Sequence, residues 1–407
     1  MIADMPFPAH FATKTVPLKF MGTDLSFKLS HALFSGFKID DGTMLLLKTL
    51  AQQKAIPNTG RVLDSGCGVG PLAVALAKRF PGLELHANDR LALACAFTTE
   101  NARCNGVSLR VTPGLLMESP DGPFDLIVSN LPAKAGAPVL ADALAKAANL
   151  LTPQGRVAIV IVAPLAEWAR STLDDLGAEI LWQEDSHDYR VIHYRGGMAE
   201  LGTINIGNIG LSGGFPGTYR RETMAWDSPV GPLQQLTYWG LPNFDSLDYR
   251  LQVAMDLFPT AAWKTPSLIW EPGQGHAASA LAKATQMAPT LAGNDWLAIR
   301  AASANLEAQG FPKSAEFGVA SIGQLSALPA GSFGSAIINL HTEPKIQWTA
   351  ETRETLNHVL QAGGQVMITG TSTDLARFLE NHKGLKVLRD NKFRGWRAVL
   401  FEKLKTG

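Results

Sequence analysis

The chain contains the same series of segments twice. Residues 62–78 read VLDSGCGVGPLAVALAK and residues 268–283 read LIWEPGQGHAASALAK, in each case a short apolar run, then glycines, then a helical pattern. Residues 298–310, 333–340 and 354–369 then repeat, in the same order, the segments that follow the first run. An ordered series of matches of this kind indicates an internal duplication. At 407 residues the chain is long enough for both copies to bury a core.

Each copy alternates strand-like segments with helical ones. In the first copy, short apolar runs typical of buried strands occur at residues 61–64, 83–89, 124–130 and 155–163. Segments with the apolar spacing of helices lie between them. Such alternation is characteristic of βαβ units and a parallel sheet. We therefore predict an α/β protein with two tandem Rossmann-like domains, each built on a doubly wound, mostly parallel sheet.

Composition limits the classes of function. With 36 basic and 36 acidic residues, the formal net charge is zero, so no whole-molecule signature of nucleic-acid binding is present. The three cysteines, Cys67, Cys95 and Cys104, form no CxxC pair, which favours reduced thiols in a cytoplasmic protein over a disulfide framework or a zinc site. The segment MIADMPFPAHF lacks the pattern of a signal peptide, and the apolar stretches are too short for a membrane span. We expect no metal and no membrane partner.

The turn after the first apolar run carries the clearest sign of a ligand site. Gly66, Gly68 and Gly70 separate a strand from a helix, where glycine allows a tight turn and close approach of a ligand. Asp89 ends the next strand, where it could bond two vicinal ribose hydroxyls. A dinucleotide fits this pattern as well, and so does a turn that binds nothing. Asp64, before the first glycine, favours a cationic, amine-bearing ligand over a pyrophosphate.

The fourth strand ends in Ser-Asn-Leu-Pro-Ala at residues 129–133, and this context points to a family. Together with ALFS at 32–35, KIDDGT at 38–43 and LLL at 45–47, it resembles the class I S-adenosylmethionine-dependent methyltransferases. The resemblance covers about residues 15–195 and is strongest to the ribosomal-RNA guanine-N2 methyltransferases of the small and large subunits. It implies S-adenosylmethionine as cofactor and RNA as partner. It also implies catalytic roles for Asn130, Leu131 and Pro132, and cofactor binding by Asp40, Gly42, Thr43, Asp64, Gly66, Gly68, Gly70 and Asp89.

The motif at the fourth strand departs from that family's Asn-Pro-Pro-Phe. In the family, the asparagine and the next carbonyl accept hydrogen bonds from a planar amino group, and the aromatic ring stacks on the base. Leu131 stands for the first proline and Ala133 for the aromatic residue. The acceptor geometry can survive, but the lost stacking is worth about 1–3 kcal/mol. Asn-Leu-Pro also resembles the tRNA guanine-N1 methyltransferases, so the base and the methylated atom stay open.

The second copy resembles the family's degenerate partner domain, although in the family the degenerate half usually comes first. We expect Ala277 to replace the third glycine, Asp295 to end the second strand, and Asn339-Leu340-His341 to lack the proline. The dense glycines of residues 202–219 indicate a connecting loop. The predicted organisation is a catalytic domain at 1–200, a Gly-rich linker at 201–235 and a degenerate methyltransferase-like domain at 236–407.

Two further stretches contain residue types that occur in ligand sites. SHDYRVIHYR, at residues 186–195, lacks metal-ligand spacing and is interpreted as a sheet edge. Residues 383–405 carry eight basic residues against two acidic ones and are either an RNA-facing ribbon or a solvated terminal hairpin. Three hypotheses about function follow: an RNA methyltransferase, a methyltransferase for a protein or small molecule, and a cofactor-binding or scaffold protein without turnover.

Overall fold

The chain divides into two compact units. The first comprises Phe7–Arg220 and the second consists mainly of Arg221–Gly407. The structure, a computed structural model, describes residues 6–118, 121–196, 205–206, 209–210, 214–343 and 346–405. Within those residues, none of the helices combines the length and the apolar character needed to cross a bilayer.

The first unit opens with an antiparallel hairpin of β1 (Lys14–Phe20) and β2 (Thr23–Leu29), followed by α1 (Asp41–Gln52). A seven-stranded sheet follows, with strand order β5-β4-β3-β6-β7-β9-β8. Its strands are β3 (Gly60–Ser65), β4 (Leu83–Asp89), β5 (Arg110–Pro113), β6 (Phe124–Asn130), β7 (Leu151–Val162), β8 (Glu179–Asp185) and β9 (Tyr189–Arg195). Its helices are α2 (Pro71–Arg79), α3 (Ala92–Cys104), α4 (Ala137–Asn149) and α5 (Ala166–Asp175). The short strands β10 (Asn205–Ile206) and β11 (Ile209–Gly210) pair after this sheet.

The second unit begins with a two-stranded sheet of β12 (Arg220–Ser228) and β13 (Gly231–Tyr238), and then repeats the same topology. Its seven strands, in the order β16-β15-β14-β17-β18-β20-β19, are β14 (Ser267–Trp270), β15 (Thr290–Gly293), β16 (Glu316–Gly318), β17 (Phe333–Asn339), β18 (Leu360–Thr371), β19 (Leu385–Phe393) and β20 (Trp396–Lys403). Its helices are α6 (Tyr249–Leu257), α7 (His276–Thr285), α8 (Trp296–Ala308), α9 (Thr349–Val359) and α10 (Ser372–Glu380). The prediction of two tandem Rossmann-like domains is confirmed.

The order of the strands determines where a ligand can bind. In the first unit the chain moves outward from β3 to β4 and β5, then returns to the other side of β3 to form β6 and β7. The point of reversal between β3 and β6 leaves a crevice at their carboxyl ends, which is the usual binding position in open α/β sheets. Both strands are central and covered on two faces, as their continuous apolar runs require. Val62, Leu63, Leu126 and Ile127 are at most 1% exposed.

Two sequence interpretations differ from this fold. Residues 201–204, 207–208 and 211–213 of the predicted linker lie outside the described residues, but residues 220–235 fall in the hairpin of β12 and β13. Glycine density alone did not reveal that hairpin. The interpretation of residues 186–195 as a sheet edge is wrong, because β9 lies between β7 and β8. His193 on β9 is buried, and its Nε2 lies 3.2 Å from Thr49 Oγ1.

Candidate functional site

The loop between β3 and α2 holds three glycines in the left-handed region. Their φ values are 79° at Gly66, 57° at Gly68 and 85° at Gly70. A Cβ at Gly70 would lie 2.9 Å from the Thr98 side chain, so that glycine is needed for packing against α3. A Cβ at Gly68 would meet no atom within 4 Å. The backbone at Gly68 therefore faces open space, as a surface that contacts a ligand must.

Asp64 lies under this loop, near the end of β3. Its Oδ2 accepts a hydrogen bond from the Ala73 backbone N–H at 3.0 Å. Its Oδ1 is buried and has no hydrogen-bond partner in the part of the chain that the structure describes. Burial is the main cause that raises the pKa of Asp64 to about 7. A buried carboxylate oxygen without a donor is costly, and a cationic ligand would offset that cost.

Asp89 connects the end of β4 to the same loop. Its carboxylate accepts the Gly68 N–H at 3.0 Å through Oδ2 and the Leu91 N–H at 2.9 Å through Oδ1. The side chain is only partly buried. The carboxylate is thus held beside the open face of Gly68, where it can accept a hydroxyl hydrogen from a ligand.

Asn130 ends β6, on the other side of the crevice. Its amide nitrogen donates to Asp40 Oδ2 at 2.8 Å and to Thr43 Oγ1 at 3.1 Å. Because an ionised carboxylate can only accept, this pairing fixes which end of the amide faces Asp40. Both N–H groups are used, and among the described residues the Asn130 amide oxygen accepts no hydrogen bond. The side chain therefore presents an oriented, unused acceptor.

Asp40 is the centre of this polar cluster. As the N-cap of α1 it accepts the Thr43 N–H at 3.1 Å, and its Oδ1 accepts the Tyr189 hydroxyl at 3.0 Å. Burial, followed by the hydrogen bond to Asp40, raises the pKa of Tyr189 to about 12. A Cβ at Gly42 would lie 2.8 Å from the Tyr189 ring, so that glycine lets α1 approach β9.

Of the residues that the resemblance assigns to the cofactor, Asp40 and Thr43 thus bond to Asn130, and Gly42 packs against the Tyr189 ring. Tyr189 is the residue that sequence reasoning missed. It lies 149 residues from Asp40 in the chain, and no local pattern connects the two.

The two residues after Asn130 act through the backbone. Leu131 is buried, and its N–H donates to Val160 O at 3.0 Å, which extends the β6–β7 pairing by one residue. Pro132 O accepts the Ala135 N–H at 3.0 Å in a single helical turn, and Ala133 on that turn is exposed. Ser129 Oγ donates to Ser65 O at 2.6 Å and ties the end of β6 to the end of β3. The glycine loop and the Asn130 cluster are therefore fixed at adjacent strand ends.

This geometry agrees with comparisons to known proteins. Residues 24–192 match the family model of the methyltransferase small domain. The matched residues lie within the first unit. Ribosomal RNA small subunit methyltransferase C of Photobacterium profundum is 30% identical to this chain over 159 residues, which cover 38% of this chain and 45% of the relative. The Shewanella loihica protein of the same name is 39% identical over 104 residues, which cover 26% and 29%.

The chain matches less than half the length of these curated relatives. A solved structure, the T. thermophilus 16S rRNA N2 G1207 methyltransferase in complex with AdoMet and guanosine, aligns with 97% of this chain and 99% of its own. The TM-score is 0.66 and the sequence identity 16%. That likeness concerns the fold, which extends through both units.

The second unit can be aligned with the first by strand pairing. Asp64 pairs with Val128, two residues before Asn130, and Ile269 pairs with Ile337, two residues before Asn339. Ile269 therefore occupies the position of Asp64. The pairing of β4 with β5 and of β15 with β16 gives a second correspondence. Gly293, the last residue of β15, occupies the position of Asp89, the last residue of β4.

Two of the expectations for the second copy are wrong, the replacement of the third glycine by Ala277 and the place of Asp295 at the end of the second strand. The left-handed residues that match Gly66, Gly68 and Gly70 are Glu271, Gly273 and Gly275, with φ values of 53°, 58° and 96°. The third glycine is thus kept as Gly275, and Ala277 lies inside α7. Asp295 does not end the second strand but caps α8, where it accepts the Leu297 N–H.

Glu271 and Asn339 use their polar groups within the second unit. Glu271 Oε1 accepts the Asn294 N–H at 2.7 Å, and a Cβ at Gly293 would lie 3.2 Å from Oε2. The glutamate thus fills the space of the lost aspartate. Asn339 Nδ2 donates to Glu271 O at 2.9 Å, and its Oδ1 accepts the Thr369 hydroxyl at 2.8 Å. Unlike that of Asn130, its amide oxygen already accepts a hydrogen bond within its own unit.

An arginine takes the space around the second asparagine. Asp248 caps α6 as Asp40 caps α1, so Arg250 stands at the position of Gly42. Its Nη1 lies 3.3 Å from His341 Nε2 and 3.5 Å from Leu340 O, and its guanidinium carbon lies 5.6 Å from the centre of the Trp396 ring. The second cleft is therefore occupied by side chains of its own unit.

Two features from the sequence analysis remain, a possible metal site and the basic stretch at residues 383–405. Among the residues that the structure describes, no group of three or more His, Cys, Asp or Glu side chains could hold a metal ion. Several cations of residues 383–405 make internal contacts: Arg397 pairs with Asp390, and Lys403 Nζ donates to Leu360 O at 2.7 Å. The basic stretch forms the hairpin of β19 and β20 at one side of the second sheet.

Proposed function

We propose that the chain transfers the methyl group of S-adenosylmethionine to the exocyclic amino nitrogen of a guanine in ribosomal RNA. The first unit carries this activity, and the domain predicted at residues 236–407 is a copy without catalysis. The observation that carries the proposal is the Asn130 amide. Its nitrogen is held by Asp40 and Thr43, so its oxygen is the unused acceptor at the end of β6, the strand next to β3. A planar amino group is the complementary donor.

The residues of the first unit fit S-adenosylmethionine. The unpartnered Oδ1 of Asp64 suits its ammonium group, the carboxylate of Asp89 suits its ribose hydroxyls, and the open backbone of Gly68 allows close approach. The bound cofactor would supply an electrophilic methyl group on a sulfonium. Ile269 and Gly293 stand at the two acidic positions in the second unit, so only the first unit offers both carboxylates.

The protein has to position the acceptor. Asn130 Oδ1 and the Leu131 carbonyl accept the two amino hydrogens, which orients the nitrogen lone pair toward the methyl group. Holding two reactants in line supplies most of the rate. After the transfer the amino nitrogen releases one of its protons to solvent, which leaves a neutral methylated base. As the nitrogen becomes positive in the transition state, the same acceptors bind it more tightly. Asp40 and Tyr189 keep the asparagine in place.

The choice of RNA follows from the relatives. The curated relatives are named ribosomal RNA small subunit methyltransferases, and the solved neighbour carries AdoMet and guanosine. A ribosomal substrate also implies a cytoplasmic enzyme. The direct test incubates the full chain and radiolabelled S-adenosylmethionine with ribosomal subunits, free rRNA, tRNA, total protein and metabolites side by side. Label retained on rRNA as N2-methylguanine supports the proposal, whereas label only on protein or metabolites contradicts it.

Cofactor affinity should fall on acidification. In the ligand-free protein the pKa of Asp64 is raised to about 7, so below that pH the carboxyl is protonated. The ammonium group binds the ionised form, and binding must then release a proton. Affinity should drop by up to about tenfold for each pH unit below pH 7, and calorimetry from about pH 8 to about pH 6 would measure it. Asp64→Asn should bind weakly with a flat pH profile; a flat profile in the unmodified protein would contradict this role.

The chain should bind one cofactor molecule. In the second cleft, Ile269 and Gly293 stand at the positions of Asp64 and Asp89. The side chains of Glu271 and Arg250 occupy space in that cleft. Calorimetry should therefore give one S-adenosylmethionine per chain, and Arg250→Gly should leave that stoichiometry unchanged because Ile269 and Gly293 still differ. Two equivalent sites per chain would show that the internal side chains do not block the second cleft.

A further inference from the structure

Two aromatic side chains are exposed beside the Asn130 cluster. Phe34 is 73% exposed and Phe37 is 68% exposed, and both belong to the segment 30–40 that leads into Asp40. Asp40 itself is bonded to Asn130. An aromatic ring gains more from burial than most side chains, so two exposed rings in one short segment indicate a surface that another molecule covers.

The backbone of this segment is closely packed. Ser35 has a φ of 59°, and a Cβ at Gly36 would lie 2.5 Å from Ser30 O. The Ser30 hydroxyl accepts the Ala32 N–H at 3.2 Å, and the His31 ring lies 4.5 Å from the Phe37 ring. A turn held by such contacts presents its rings in a defined position, which reduces the ordering cost when a partner binds.

A lysine adds positive charge to the same place. Lys14 on β1 donates from Nζ to Phe37 O at 3.1 Å. Among the described residues it has no carboxylate partner, whereas Lys38 nearby is paired with Asp41. An unpaired ammonium beside exposed rings is the combination that binds single-stranded nucleic acid, with bases on the rings and a phosphate at the cation.

We propose that Phe34, Phe37 and Lys14 form a stacking platform for an unpaired stretch of the RNA substrate next to the methyl-acceptor pocket. The inference rests on the proposed function and extends it to the conformation of the substrate. Bases within a duplex are stacked on each other and cannot lie on these rings, so the platform selects single-stranded RNA. Ala133, which follows the Asn130 motif, brings no ring of its own. Lys14 beside the rings favours a polyanion over an apolar protein partner.

The test compares the full chain with Phe34→Ala/Phe37→Ala, and uses Trp182→Ala as the matched control. Trp182 is an exposed aromatic residue on β8 of the same unit, outside this segment. The probe is a short fluorescein-labelled RNA, used single-stranded and annealed to its complement. Because base stacking on one aromatic is worth about five- to a hundredfold in affinity, the double variant should bind the single strand at least about tenfold more weakly. Phe34→Tyr/Phe37→Tyr should retain binding, and Trp182→Ala should be unaffected.

Two further measurements separate the possible causes. Lys14→Gln should reduce the log–log slope of single-strand affinity against salt by about 0.7, the value for one phosphate contact on a single strand. S-adenosylmethionine affinity, measured by calorimetry, should be the same in every variant, which excludes misfolding.

Unchanged RNA binding in the double alanine variant, with methyl transfer to rRNA intact in the unmodified chain, would overturn the platform alone. Equal binding of single-stranded and duplex RNA would overturn it too. No transfer to rRNA by the unmodified chain would overturn the proposed function as well.

Discussion

Gly68→Val should abolish binding of S-adenosylmethionine. The Cβ position of Gly68 is open, with no atom within 4 Å, so a valine side chain would extend into the space that the cofactor must enter. Affinity should fall by roughly a hundredfold or more, because overpacking alone costs about 1–3 kcal/mol and displaced backbone contacts add to it. Isothermal titration of the full chain with S-adenosylmethionine measures the effect, and methyl transfer should be lost in parallel.

The second unit supplies a matched control for this variant. Gly273 has a φ of 58°, against 57° at Gly68, and its Cβ position is equally open. Gly273→Val therefore imposes the same backbone strain of about 1–2 kcal/mol in the same turn of the other copy. It should lower thermal stability as much as Gly68→Val does and leave cofactor affinity unchanged. Equal loss of affinity in both variants would mean that strain, rather than the cofactor site, accounts for the result.

The fold could be predicted from the sequence because its signals are local. A buried central strand is a run of apolar residues, and a strand-to-helix turn with left-handed residues requires glycine. Both signals occur twice in the same order, at β3–α2 and at β14–α7. They are sufficient to predict two mostly parallel sheets, and they place Asp64, Asp89 and Asn130 at or near strand ends.

The correspondence between the two copies could not be read from residue type. Matching acid to acid equates Glu271 with Asp64, whereas strand pairing and backbone conformation equate Glu271 with Gly66. The two assignments differ by two residues, and the Glu271 carboxylate lies beside Gly293, at the position of Asp89 and not of Asp64. The residue types show which chemical groups are present. Only the pairing of the strands shows which backbone positions of the two copies correspond.

The polar cluster around Asn130 lay beyond sequence reasoning for a different reason. Tyr189, Asp40 and Asn130 come from β9, the start of α1 and the end of β6, and they meet only when the sheet is assembled. Asp40 was assigned from family resemblance to the cofactor. Each of its three hydrogen bonds lies within the cluster that holds the Asn130 amide, and its part in cofactor binding stays a prediction.

Asn130→Ala should lower methyl transfer far more than it lowers cofactor affinity. The amide oxygen is unused in the ligand-free protein, so its contact forms with the acceptor and strengthens as charge develops on the nitrogen. We expect kcat to fall by roughly ten- to a thousandfold, the range for one lost transition-state hydrogen bond. The fold should persist, because Asp40 keeps its bonds from the Thr43 N–H and the Tyr189 hydroxyl. Single-turnover kinetics on rRNA, with calorimetry for the cofactor, measures both quantities.

Asn339→Ala is the matched control for Asn130→Ala, and its effect should be the reverse. Both polar ends of Asn339 are bonded internally, to Glu271 O and to the Thr369 hydroxyl, so its removal leaves buried groups without partners. Stability of the second unit should fall by about 1–3 kcal/mol while the rate of methyl transfer stays unchanged. Loss of rate in Asn130→Ala together with loss of stability in Asn339→Ala would assign the first asparagine to substrate binding and the second to the stability of its own unit. Equal losses of cofactor affinity and turnover in Asn130→Ala would instead make that asparagine structural in both copies.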